Sequence, residues 1–128
     1  MEELGTLVAT KVLIVDDDRT IREVLRAMLG YEGCVVVDVP DGESALAVAD
    51  EIDPDVVLLD LTMPGMDGLD VCRRLKARPD PPKVVVITAR DTAADELRGR
   101  AAGADAFLRK PFSPLAVLDV VGVEAGGG

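Results

Sequence analysis

Four short apolar segments of this chain run straight into side chains that can do chemistry. "KVLIV" (Lys11–Val15) stops at Asp16, Asp17 and Asp18. "DVVLLD" (Asp55–Asp60) ends on Asp60, "KVVVIT" (Lys83–Thr88) ends on Thr88, and "DAFLR" (Asp105–Arg109) meets Lys110. Carboxylates gathered in one place repel one another and stay ionised together only when a cation joins them. An all-oxygen donor set suits Mg²⁺, which takes one or two carboxylates, keeps waters and accepts phosphate oxygens. The chain has no His and no paired thiolates, which argues against zinc. A carboxylate beside Mg²⁺, with a Lys and a Thr at hand, suits phosphoryl transfer, which needs positioning and charge neutralisation more than covalent help. Asp60 is then the nucleophile and forms an aspartyl phosphate. Lys110 holds one phosphoryl oxygen and Thr88 hydrogen-bonds another. An ionised carboxylate has no proton to lose, so no general base is required.

Taken singly, each of these residues has an ordinary explanation. Asp16–Asp18 can cap a helix and match its dipole. Asp60 can cap a helix or a turn, Thr88 can simply end a strand, and Lys110 can be a solvated charge. What sets them apart is their joint placement at strand ends, and that depends on the elements between them.

Those elements alternate strictly. After the first strand, Ile21, Val24, Leu25, Met28 and Leu29 follow helical spacing, with Gly30 and Gly33 as stop signals. "CVVVDV" (Cys34–Val39) reads as a second strand, and its end at Val39 and Pro40 offers nothing chemical. Asp41 caps a helix carrying Ala45, Leu46, Val48, Ala49 and Ile52, closed by Pro54. Leu69, Val71, Cys72 and Leu75 mark a third helix, ended by "RPDPP" (Arg78–Pro82). Asp91–Ala102 is expected to be a thin fourth helix whose buried face is mostly Ala with Leu97, weakened by Gly99. Gly103 stands at its C′ position. Ser113 and Pro114 form an N-cap and N1 pair for a last, Val-rich helix. Strands that are apolar on both faces imply a parallel sheet covered by helices on both sides. In such an open sheet, ligands bind outside the carboxyl ends of the strands, where the chemistry-bearing residues fall.

Composition removes other classes. The net charge of −10 repels a nucleic-acid backbone, and the aromatics are only Tyr31, Phe107 and Phe112, too few for base stacking. No apolar stretch is long enough for a membrane span. Met1–Thr10 has neither the basic nor the apolar region of a signal peptide, so a cytoplasmic protein is expected. Cys34 and Cys72 are expected to be reduced core thiols. Residues 1–10 read as a flexible lead-in, 11–123 as one domain, and 124–128 as a flexible Gly-rich tail that suits a natural end or a linker cut short.

"VLIVDDD" (Val12–Asp18), "VVLLDLTMPGMDGLDVCRRLK" (Val56–Lys76), "VVVITA" (Val84–Ala89) and "GADAFLRKPF" (Gly103–Phe112) resemble, in order and spacing, the receiver domain of two-component response regulators. The resemblance implies an α/β, flavodoxin-like (βα)5 three-layer sandwich whose five-stranded parallel sheet has the order 2-1-3-4-5. It places the phosphoacceptor on Asp60 and the Mg²⁺-binding acidic pair on Asp16 and Asp17. The backbone carbonyl of Thr62 would be a third protein ligand, leaving that side chain free to vary. Thr88 falls on the switch hydroxyl, Lys110 on the phosphate-pairing lysine, Phe107 on the switch aromatic, and Lys110–Pro111 on a cis peptide. The implied function is acceptance of a phosphoryl group from the phosphohistidine of a sensor histidine kinase or phosphotransfer domain. Thr88 and an inward-turning Phe107 would then alter the face of helix 4, strand 5 and helix 5 for a downstream protein, an output domain or a phosphorylation-dependent homodimer. Such a chain is not an enzyme beyond its own phosphorylation and dephosphorylation. Phe107 lacks the hydroxyl of the Tyr often found at this place, and Thr62 and Arg90 sit where family members tune phosphate lifetime.

Three other readings compete. A phosphorylation-independent interaction module would not need Asp60, Thr88 and Lys110 together. A Mg²⁺-dependent phosphatase would carry a second Asp two residues after the nucleophile, where Thr62 stands, and a cap domain. A nucleotide-binding flavodoxin-like protein would show a Gly-rich phosphate loop after the first strand.

Overall fold

The structure, a computed structural model, describes residues 9–63, 65–89 and 93–122. The expectations for most of the lead-in, for Arg90 and Asp91, and for the tail fall outside the described residues.

The chain alternates strand and helix five times: β1 (Lys11–Val15), α1 (Arg19–Tyr31), β2 (Val35–Val39), α2 (Gly42–Ile52), β3 (Val56–Asp60), α3 (Gly68–Lys76), β4 (Lys83–Thr88), α4 (Ala93–Ala101), β5 (Ala106–Arg109) and α5 (Pro114–Val121). All strand pairs are parallel, in the order β2-β1-β3-β4-β5. This is the flavodoxin-like order. β3 is buried at every position, because helices cover both of its faces. On one face, Leu13, Val57 and Val86 pack with Ala45 and Ala49 of α2 and Val71, Cys72 and Leu75 of α3. On the other, Ile14, Leu58 and Val85 pack with Leu25 and Leu29 of α1 and Val117 and Val121 of α5.

Helix starts follow the capping residues. Asp18, Asp41, Asp67 and Ser113 each accept a hydrogen bond from the first turn of the helix that follows, satisfying amides with no intrahelical partner. The stop signals are less literal. Gly30 lies inside α1, and the turn is made by Gly33 at φ +90°.

Two expectations about burial need correction. Among the described residues β2 is an edge strand, paired only with β1, so Val35 at its start is half exposed and Cys34 is only partly buried. Cys72 is the core thiol, and burial pushes its pKa up to about 11. Leu97 does not face the core of α4. It is 68% exposed, and the buried positions are Asp95 and Gly99. Because Gly99 lies against the Phe107 ring of β5, the helix is rotated with Leu97 outward.

Candidate functional site

Strand register delivers the site. Val15 pairs with Leu59, so one further step along β1 and β3 sets Asp16 beside Asp60. Asp60 pairs with Ile87, and Thr88 with Arg109, so Thr88 and Lys110 emerge on the same rim from β4 and just after β5. Asp16 and Asp60 are each 1% exposed, whereas Asp17 is exposed. One carboxylate oxygen from each of the three lies within 4.8 Å of the others.

The two buried carboxylates are held. Asp16 Oδ1 accepts from the Asp18 amide at 2.9 Å. Asp60 Oδ1 accepts from the Thr62 amide at 3.0 Å and from the Thr62 hydroxyl at 2.8 Å. Lys110 Nζ stands between the two buried acids, 3.1 Å from Asp16 Oδ2 and 3.4 Å from Asp60 Oδ2. Burial pushes the Asp16 carboxyl above its usual pKa, partly offset by the Asp18 amide and Lys110. Burial works against the Lys110 ammonium too, but the ion pair with Asp16 and the charge of Asp60 outweigh it. Its pKa is raised.

The donor set fits a hard divalent cation. All three donors are carboxylate oxygens. Asp16 Oδ2 is buried and, although it faces Lys110, accepts no well-formed hydrogen bond, as expected of an oxygen with unused coordinating capacity.

Two of the expected features differ in detail. Asp18 belongs to α1 rather than to the acid cluster: its Oδ1 accepts from the amides of Thr20 and Ile21. The Thr62 side chain is not idle, since its hydroxyl donates to Asp60. Thr88 lines a cleft of about 210 Å³ with Leu61, Asp67, Leu69, Asp95 and Arg98. Beyond Lys110 an apolar groove of about 520 Å³ is lined by Ile21, Val24, Ala89, Pro111 and Phe112. The Lys110–Pro111 peptide is cis. Phe107 is removed from the acids and packs against α4, with the Arg100 guanidinium 4.9 Å from its ring centre.

β2 contributes through its interior rather than through its end at Val39 and Pro40. Asp38, on that strand, accepts from Arg22 Nε at 3.0 Å, and Arg22 Nη1 donates to the Asp16 carbonyl at 2.8 Å. An acid inside an otherwise all-valine strand was the available signal.

A doubly wound sheet with a buried acid pair, an exposed third acid and a lysine at its carboxyl rim defines an open α/β domain whose polar cluster lies where such sheets bind ligands. Comparison with known proteins narrows this. A family model for the response regulator receiver domain matches residues 12–121. Response regulator MprA of Mycolicibacterium vanbaalenii is 45% identical over 103 residues, which cover 80% of this chain and 45% of that protein. MprA of Mycobacterium ulcerans is 43% identical over 105 residues, covering 82% of this chain and 45% of that protein. The chain thus spans about half the length of these curated relatives. Among solved structures, the Vibrio cholerae chemotaxis protein CheY4 superposes with a TM-score of 0.84 at 31% identity, covering 90% of this chain and 98% of that one. The BeF3-activated N-terminal receiver domain of Klebsiella pneumoniae RstA gives 0.80 at 31%, covering 86% and 93%. The chain belongs to the response regulator receiver domain family of two-component systems. Among the described residues, no helix is long and apolar enough to cross a membrane.

Proposed function

We propose that this receiver domain accepts a phosphoryl group on Asp60 from the phosphohistidine of a sensor histidine kinase or phosphotransfer domain. The observation that carries the reading is the convergence of Asp60, Asp16 and Lys110, each from a different strand, within ion-pair distance. Asp16, Asp17, Asp60 and the Thr62 backbone carbonyl would hold Mg²⁺. When bound, the metal neutralises phosphoryl oxygens and lets the carboxylates remain ionised together.

The residues of the chain do the rest. A carboxylate oxygen of Asp60 attacks phosphorus, a P–O bond forms, the donor's P–N bond breaks, and the imidazole nitrogen keeps the electron pair. Lys110, already charged and aimed at the Asp60 carboxylate, pairs with an oxygen of the incoming group. Thr88 borders the adjoining cleft and offers its hydroxyl to another. The apolar groove beside Lys110 supports a protein rather than a small molecule as the natural donor. Output is read from the face of α4, β5 and α5, where Leu97 and Leu115 are both 68% exposed. Phosphorylation draws Thr88 inward and repositions Phe107, changing that face for a downstream protein, an output domain or a second copy. On this reading the chain is a cytoplasmic signalling switch that turns over only its own phosphate.

The test is intact mass after incubation with Mg²⁺ and acetyl phosphate. One labile phosphoryl group is expected on the wild type and none on Asp60→Asn or without Mg²⁺. No addition to a folded protein that binds Mg²⁺ would overturn the reading in favour of a phosphorylation-independent interaction module.

A further inference from the structure

The peptide that joins the two neighbouring acids of the pocket is held from outside the pocket. Its carbonyl, on Asp16, accepts from Arg22 Nη1 at 2.8 Å. Its neighbour on the other side, the Asp16 amide, donates to the Val39 carbonyl of β2 at 3.2 Å. Arg22 lies one turn into α1 with its side chain largely buried, and its Nε donates to Asp38 Oδ2 at 3.0 Å. The other Asp38 oxygen accepts from Arg26 Nη1 at 2.6 Å. Arg22 therefore spans an acid on β2 and a carbonyl after β1. A planar guanidinium with several fixed donors can do this, whereas a lysine ammonium offers one point of charge.

The second acid depends on that peptide. The exposed Asp17 side chain has no hydrogen bond or ion pair among the described residues. Its direction is set by the backbone to which it is attached. Asp16, in contrast, is fixed by burial and by the Asp18 amide.

We propose that Arg22, anchored by Asp38, is a positioning residue for the acidic pair. It sets the plane of the Asp16–Asp17 peptide so that both carboxylates face one divalent cation. The inference rests on the reading of Asp16 and Asp17 as Mg²⁺ ligands. Groups that orient metal ligands are worth about 10–100-fold in metal affinity, and this one acts through a backbone carbonyl, so the lower end applies.

The experiment is calorimetric titration of the whole chain with MgCl₂, with melting in a chelator as the check on folding. Arg22→Lys keeps the charge but not the fork, and Asp38→Asn loosens the anchor at a distance from the acids. Each is expected to weaken Mg²⁺ binding about tenfold. The double variant should be no more than about twofold worse than either, because both act along one path. Arg26→Gln, which touches Asp38 but not Asp16, should stay within about twofold of wild type. The Asp17 amide resonance should shift in the metal-free Arg22→Lys and Asp38→Asn proteins. Wild-type affinity in a folded Arg22→Lys or Asp38→Asn would overturn the proposal, as would an Arg26→Gln loss as large as that of Arg22→Lys. If Arg22→Lys fails to fold, Asp38→Asn decides. A wild type that does not bind Mg²⁺ would instead overturn the metal reading, and the proposal with it.

Discussion

A methyl group on Gly99 would stand 2.6 Å from Cε1 and 2.8 Å from Cζ of Phe107. The ring of β5 occupies the space that a side chain on α4 would need, and the Arg100 guanidinium lies over its face. What reads in the sequence as a flaw in a thin helix is the notch that receives the aromatic ring of the proposed switch.

Gly99→Ala therefore sets two effects against each other. Helix propensity favours Ala by about 1 kcal/mol, while overpacking costs about 1–3 kcal/mol. Urea unfolding should show a net loss of up to about 2 kcal/mol. In a Phe107→Leu background the same change should become neutral or stabilising. A single Gly99→Ala variant more stable than wild type would contradict the packing described.

Lys110→Met removes the ammonium that stands between two buried carboxylates. Breaking a fully buried ion pair costs about 3–5 kcal/mol, and the partial exposure of Lys110 brings the expectation down to about 2 kcal/mol in metal-free protein. Added Mg²⁺ should then raise the melting temperature more than it does in wild type, because the cation replaces a missing charge. Equal Mg²⁺-induced shifts in the two proteins would count against a shared acid site.

Thr62→Val deletes the hydroxyl that donates to Asp60 Oδ1 and keeps the branched shape. That hydrogen bond stabilises the nucleophile in its ground state. Losing about 1 kcal/mol of it should speed phosphorylation by acetyl phosphate about fivefold. A rate equal to or below that of wild type at saturating Mg²⁺ would show that the hydroxyl serves the reaction instead.

Asp105 links α3 to the sheet, accepting from Lys76 Nζ at 2.7 Å and from the Val84 amide at 2.8 Å. Burial opposes its charge, but these partners prevail and hold its pKa below the usual 3.8. A lowered pKa means that the folded state binds the proton less readily than the unfolded chain. The stabilisation is present above the unfolded value and is lost as pH falls through the folded one. Asp105→Asn should cost about 0.5–1 kcal/mol at pH 7, since the pair is part-exposed. Its unfolding curve should converge on that of wild type only as the pH falls below 3.8 and through the lowered folded-state pKa.

The sequence by itself determined the order of elements and the composition of the rim. Apolar runs of strand length, separated by capped helical periods, leave only a parallel sheet, and parallel strands must all finish at one edge. Asp16, Asp60, Thr88 and Lys110 each end or follow a strand, so they meet whatever the helices do in detail. Tertiary structure decided how each helix is turned about its axis and which polar groups find partners far along the chain. α4 has too few apolar residues for its own spacing to choose a buried face, and the Phe107 ring chose Gly99 over Leu97. Asp18 was drawn into the cap of α1 because the amides of the first turn have no intrahelical partner. The role of Asp38 is likewise tertiary, because its partner, Arg22, is 16 residues away and is brought to it only when α1 packs across β1 and β2.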